Sequence, residues 1–85
     1  MLPVVFLSPA TKYFKKLKDK QLKTKFASAI MAIRHDPHIG IRKTGDLAGV
    51  FGYDVHHNGV NYEVAYYLTA NDRSEIVVII MAGTR

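Results

Sequence analysis

The stretch FGYDVHHNGVNYEVAYYL, from Phe51 to Leu68, places two carboxylates and an imidazole at spacings that could move a proton. Asn58-Gly59 is a strong hairpin signal, because a two-residue type I′ turn needs positive φ at both positions. Such a turn pairs His57 with Val60, Val55 with Tyr62, Tyr53 with Val64 and Phe51 with Tyr66. Directly opposed residues share a face of the sheet. One face then carries Phe51, Tyr53, Val55, Val60, Tyr62, Val64, Tyr66 and Leu68, an apolar surface that helices must cover. The other carries Gly52, Asp54, His56, Asn61, Glu63, Ala65 and Tyr67. Asp54 opposes Glu63, and His56 opposes Asn61 and lies diagonal to Glu63. Two like charges so placed repel, and one of the pair becomes easier to protonate. With an imidazole alongside, the group could exchange protons near neutral pH. The competing reading is a solvated polar face whose acids pair with nearby lysines.

Other polar residues carry less. His56 and His57 are neighbours on one strand, point to opposite faces and cannot chelate one metal together. His35 and His38 flank a proline turn and lack a third ligand, so no metal site is expected. Tyr53, Tyr62 and Tyr66 read as packing residues. Tyr67 lies on the open face and could stack on a base. There is no phosphate-binding glycine loop and no nucleophile elbow.

The elements that must position this ribbon follow from pattern. Leu2 to Leu7 reads as a strand. Ser8-Pro9 reads as a helix start, with a hydroxyl cap and then proline at the first helical position. Phe14 and Leu17 form the inward stripe of a short first helix. Asp19 caps a second, on which Leu22, Phe26, Ile30 and Ile33 share one face. His35-Asp36-Pro37 ends it, because the residue before proline avoids helical geometry. The two helices are expected to form a hairpin with their basic sides outward. Pro37 to Asp46 reads as an ordered loop. Strands follow at Val50–His57, Val60–Thr69 and Glu75–Ala82, the last apolar on both sides and therefore interior to the sheet. The expected fold is α+β, in the order βααβββ, with two N-terminal helices on one face of a small antiparallel-rich sheet.

The chain has 85 residues, no cysteine and a formal net charge of +5, so one small domain without disulfides or thiolate metal sites is expected. No basic run precedes an apolar core at the N-terminus, and the longest apolar stretch, Ile76 to Ala82, is too short to cross a bilayer. Seven of the twelve basic residues lie between Lys12 and Lys25. Such clustering suits a polyanion such as nucleic acid or an acidic protein segment, and equally a solvated helical face.

SPATKYFKKL, the helix end HDPHIG, the phrase GDLAGVFGYDV leading into NYEVAYYL, and the closing IVVIIMAGTR together resemble the RelE/ParE superfamily of bacterial type II toxin–antitoxin toxins. The ordered set carries the resemblance over nearly the whole chain; no single motif does. It implies one toxin domain over residues 1–85, a cytoplasmic protein that enters the ribosomal A site and cuts mRNA. It also implies an antitoxin partner that wraps the toxin, no membrane, and no metal or other cofactor. The RNA 2′-hydroxyl attacks the adjacent phosphate, with positioning and electrostatics supplying most of the catalysis. On this view Glu63 or His56 is the base and Asp54 a neighbouring acid. Arg85, Lys43 and Arg42 clamp phosphate, Tyr67 stacks on a base, and Lys12, Lys15, Lys16 and Lys23 meet RNA phosphates without reading sequence.

The sequence departs from the family pattern where catalysis is concerned. Many active members place an arginine where Glu63 stands, a second basic residue at Gly52 or Asp54, and another arginine at Met81. Of the usual closing run only Gly83 and Arg85 match. Relatives commonly continue past the position of Arg85 with a segment that aids catalysis or antitoxin binding, which this sequence is expected to lack. Two outcomes stay open: a ribonuclease with a shifted acid–base set, or a protein that keeps the scaffold and acts by binding, by titrating an antitoxin or, as ParE does, by inhibiting DNA gyrase.

Overall fold

A computed structural model describes all residues from Met1 to Arg85. The elements are β1 (Val4–Phe6), α1 (Ser8–Lys16), α2 (Lys20–His35), β2 (Ile41–Arg42), a 3-10 turn (Gly45–Leu47), β3 (Val50–His57), β4 (Val60–Ala70) and β5 (Glu75–Thr84). They form one five-stranded sheet in the order β1-β5-β4-β3-β2. β1 runs parallel to β5, and every other neighbouring pair is antiparallel. The fold is α+β with a mixed sheet, as the sequence order implied.

Asn58 and Gly59 have φ of 50° and 75°, so the hairpin turns as its sequence requires. The β3–β4 register matches expectation at every pair, including Asp54 with Glu63 and His56 with Asn61. Beyond it lie three differences. The loop after α2 contains a two-residue strand, β2, which pairs Ile41 with Gly52 and Arg42 with Phe51; two residues are too few to show any period. Ser8 belongs to the first turn of α1 and its side chain caps nothing, because Leu7 holds the cap position. The chain turns one residue early since Leu7 N still donates to Ile79 O at 2.9 Å, closing the β1–β5 ladder. Third, the register of β4 on β5 shifts between Ala65, which faces Met81, and Tyr66, which faces Ile79. Ile80 is the extra residue, so Val77, Ile79 and Ala82 all turn inward despite their uneven spacing.

The helices cover one face. Phe26, 1% exposed, is the hub. Its ring meets Phe14 at 5.4 Å, Tyr13 at 5.8 Å and Tyr62 at 5.8 Å, all edge-on, so one side chain ties α1, α2 and β4 together. Leu22, Ala29 and Ile33 continue the buried stripe of α2 against Val55, Val64 and Tyr66. Val60, expected in this core, is 38% exposed because it sits at the hairpin tip beyond the helices' reach. Tyr66 is fully buried, stacks on Phe51, and has its hydroxyl satisfied twice: it donates to Pro37 O at 2.9 Å and accepts from Gly40 N at 3.0 Å. Burial pushes its phenol above the usual range. That hydroxyl ties down the loop that delivers β2 and Lys43.

Candidate functional site

The uncovered face of the sheet carries a row of four charges. Asp54 on β3 and Glu63 on β4 oppose each other directly. Lys43, just past β2, places Nζ 2.8 Å and 3.0 Å from the two carboxylate oxygens of Glu63. From the other side Arg85 places Nη1 2.8 Å from Asp54 Oδ2. Its backbone N–H donates to Asn61 O at 2.9 Å, so the ladder itself aims the guanidinium. Two acids therefore stand side by side at the centre of the row, flanked by one cation each, in the order Lys43, Glu63, Asp54, Arg85. Of the two readings the sequence allowed, an unscreened repelling pair or acids paired with nearby cations, the structure has the second: each carboxylate is compensated by its own cation.

Gly52 makes this packing possible. A Cβ on it would lie 2.8 Å from Glu63 Cδ and 3.1 Å from Lys43 Cε. The missing side chain leaves a notch in β3, and the Glu63 carboxylate folds into it instead of extending into solvent. The Glu63 side chain is 18% exposed and Lys43 is 30% exposed, against 53% for Arg85. The outer pair is the wetter one.

His56 lies two residues along β3 from Asp54, about 7 Å away by strand geometry. It is exposed, and its Nδ1 meets Asn61 Oδ1. The contact engages Nδ1 and leaves Nε2 without a hydrogen-bond partner on the protein. Tyr67 on the same face is half-buried, takes part in none of the ring contacts, and borders the buried Val78.

The remaining basic residues singled out from the sequence are not gathered here. Arg42 faces away from Lys43, its guanidinium 5.5 Å from the Phe51 ring on the covered side. Lys15 and Lys23 line apolar grooves among Phe6, Phe14 and Phe26 on the helical layer. Lys12 and Lys16 reach the rim, where they share a groove with Tyr13 and Met81. Sequence reasoning joined these cations by charge, and the sheet divides them between two sides.

It also missed a link between layers. Asp19, the cap of α2, accepts from Leu22 N at 3.1 Å and its other oxygen meets Nε2 of the buried His57 at 3.0 Å. The Leu22 N–H first, and His57 second, hold the Asp19 carboxyl below the usual range. Lys25 Nζ donates to His56 O at 2.9 Å nearby. The one available signal was parity: His57 pairs with Val60 on the apolar face, where a histidine needs a partner.

With the geometry in place, comparison assigns the class. The family model of the ParE-like toxin of type II bacterial toxin–antitoxin systems matches residues 4–85. The chain belongs to that family. Among solved structures it is similar to the intact Escherichia coli RelBE toxin–antitoxin complex, with a TM-score of 0.78 over 100% of this chain and 98% of that one at 18% identity. The YoeB/ParE toxin from Agrobacterium tumefaciens gives a TM-score of 0.78, covering 99% of each chain at 13% identity. The Mycobacterium tuberculosis toxin–antitoxin complex RelBE2 gives 0.72, covering 99% and 98%, at 25% identity. No curated protein matches the sequence. No helix is long and apolar enough to cross a membrane.

Proposed function

We propose that this toxin arrests translation by cutting mRNA on the ribosome, with His56 as the base and Lys43 and Arg85 as the phosphate-holding cations. The observation that carries the reading is the shared open face: two cations and an imidazole with a free Nε2 lie on one exposed strip of sheet. His56 Nε2 takes the proton of the RNA 2′-hydroxyl as its oxygen attacks the adjacent phosphorus. Lys43 and Arg85 offset the charge that builds on the phosphoryl oxygens. The bond to the 5′-oxygen breaks, and the leaving oxygen takes up a proton, leaving a cyclic phosphate and a 5′-hydroxyl. Most of the acceleration comes from holding the 2′-oxygen, phosphorus and 5′-oxygen in line. Tyr67 offers a ring to an adjacent base.

The likeness to RelBE and RelBE2 supports a protein antitoxin as the partner, and a ribosomal target supports a cytoplasmic site of action. Primer extension on mRNA carried by stalled ribosomes tests the reaction. New 5′ ends are expected with the pure protein and none with His56→Ala; an unchanged pattern with the intact protein would end the reading.

One observation favours a second reading. Both cations are already held by carboxylates, which suits a member of the fold that acts by binding, on DNA gyrase or on an antitoxin alone. Gyrase-linked DNA breaks on expression, with intact mRNA, would select it.

A further inference from the structure

We propose that Asp54 and Glu63 are built-in stand-ins for RNA phosphates: they occupy Arg85 and Lys43 until a positioned RNA backbone displaces them. This rests on the reading that the open face meets RNA, and it names the regulation of that face. A carboxylate and a phosphate present the same kind of charged oxygen acceptor to an ammonium or a guanidinium. Lys43 holds both oxygens of Glu63, at 2.8 Å and 3.0 Å, as it would hold two oxygens of one phosphate. Gly52 supplies the notch that lets this carboxylate lie flat against β3. Glu63 and Asp54 sit side by side across the strands, an arrangement that repels unless both cations stay in place. The acids therefore need the cations, and an incoming RNA must replace two contacts that already exist.

A free RNA at low concentration competes poorly under these terms. An mRNA already held beside the toxin competes at a high effective concentration and wins. The wetter Arg85–Asp54 pair opens first, and Lys43–Glu63 follows. The acids thus confine the toxin to RNA that another body presents, and spare the bulk pool.

Binding of a short single-stranded RNA oligonucleotide to the intact protein, across a salt series, tests this. Asp54→Asn and Glu63→Gln are each expected to tighten binding several-fold at low salt. Each should steepen the log–log salt dependence by about 0.7, the value for one added single-strand phosphate contact, and the double variant by about 1.4. Glu75→Gln removes the same charge from an acid that no cation touches and should leave the slope where it was. Gly52→Ala changes no charge, pushes the Glu63 carboxylate out of its notch, and should shift affinity in the same direction as Glu63→Gln. In a Lys43→Ala background the Glu63→Gln gain should vanish. The proposal is overturned if Glu75→Gln gains as much as Glu63→Gln, or if that gain survives without Lys43. Cleavage is scored apart on ribosomes: tighter binding with no new mRNA ends would remove the ribonuclease reading and leave this one standing.

Discussion

On the covered face Phe26 meets three rings edge-on and is sealed from water, while one strand's thickness away Glu63 meets Lys43 in a pair that solvent still reaches. Both arrangements join elements distant in sequence. The ring cluster joins α1 and α2 to β4 by burying apolar area, which nothing in solution can replace. The charge row joins β3, β4 and the two segments flanking them by contacts that any anion can imitate. Folding is secured on the first face, which leaves the second free to exchange partners. Substitution on one should cost stability, and on the other should alter binding.

The largest effect should come from the hub. Phe26→Ala is expected to lower unfolding free energy by about 3–5 kcal/mol in urea titration, enough to unfold much of a domain this small. Next, Tyr66→Phe removes a hydroxyl that serves both Pro37 O and Gly40 N, at an expected cost of about 1–3 kcal/mol. The loop it releases carries Lys43, so RNA affinity should fall along with stability.

A smaller effect concerns acid. The folded state depresses the Asp19 carboxyl, so its contribution is complete above the ordinary carboxylate value near 3.8 and disappears as pH falls through the lower folded value. Asp19→Asn keeps an oxygen for the Leu22 N–H but does not titrate there. Thermal melts of the two proteins should therefore differ at neutral pH and converge in strong acid. A difference that stays constant down to that range would detach Asp19 from the pH response. The smallest stability change belongs to the open face: Lys43→Ala should shift urea unfolding by roughly 0–1 kcal/mol. A loss as large as that of Tyr66→Phe would mean that the charge row, and not the ring cluster alone, holds the fold.

What the sequence disclosed follows the same division. The hairpin register was legible because Asn58-Gly59 permits one tight turn and the period of two fixes every pair after it. Phe26 and Ile33 were legible because α2 repeats its apolar face over about three turns, from Leu22 to Ile33. Ile41–Arg42 was not, since a two-residue strand exists only through its neighbour β3. The extra Ile80 was hidden in IVVIIMA, Ile76 to Ala82, where every position is apolar and no alternation marks the slip. At the site, the faces of Asp54, His56 and Glu63 came from parity, while their partners did not. Lys43 reaches Glu63 across 20 positions and Arg85 reaches Asp54 across 31, contacts that only the closed sheet creates.

The sheet order has a consequence for synthesis. β5, the last strand to be made, lies between β4 and the first strand made, so Val4–Phe6 has no neighbour to pair with until Val77–Ile79 has been translated. Nearly the whole chain must leave the ribosomal tunnel before its two ends can meet. A product interrupted ahead of β5 would have neither a closed sheet nor the arginine that faces Asp54, so both the fold and the charge row are completed only when the final strand is made.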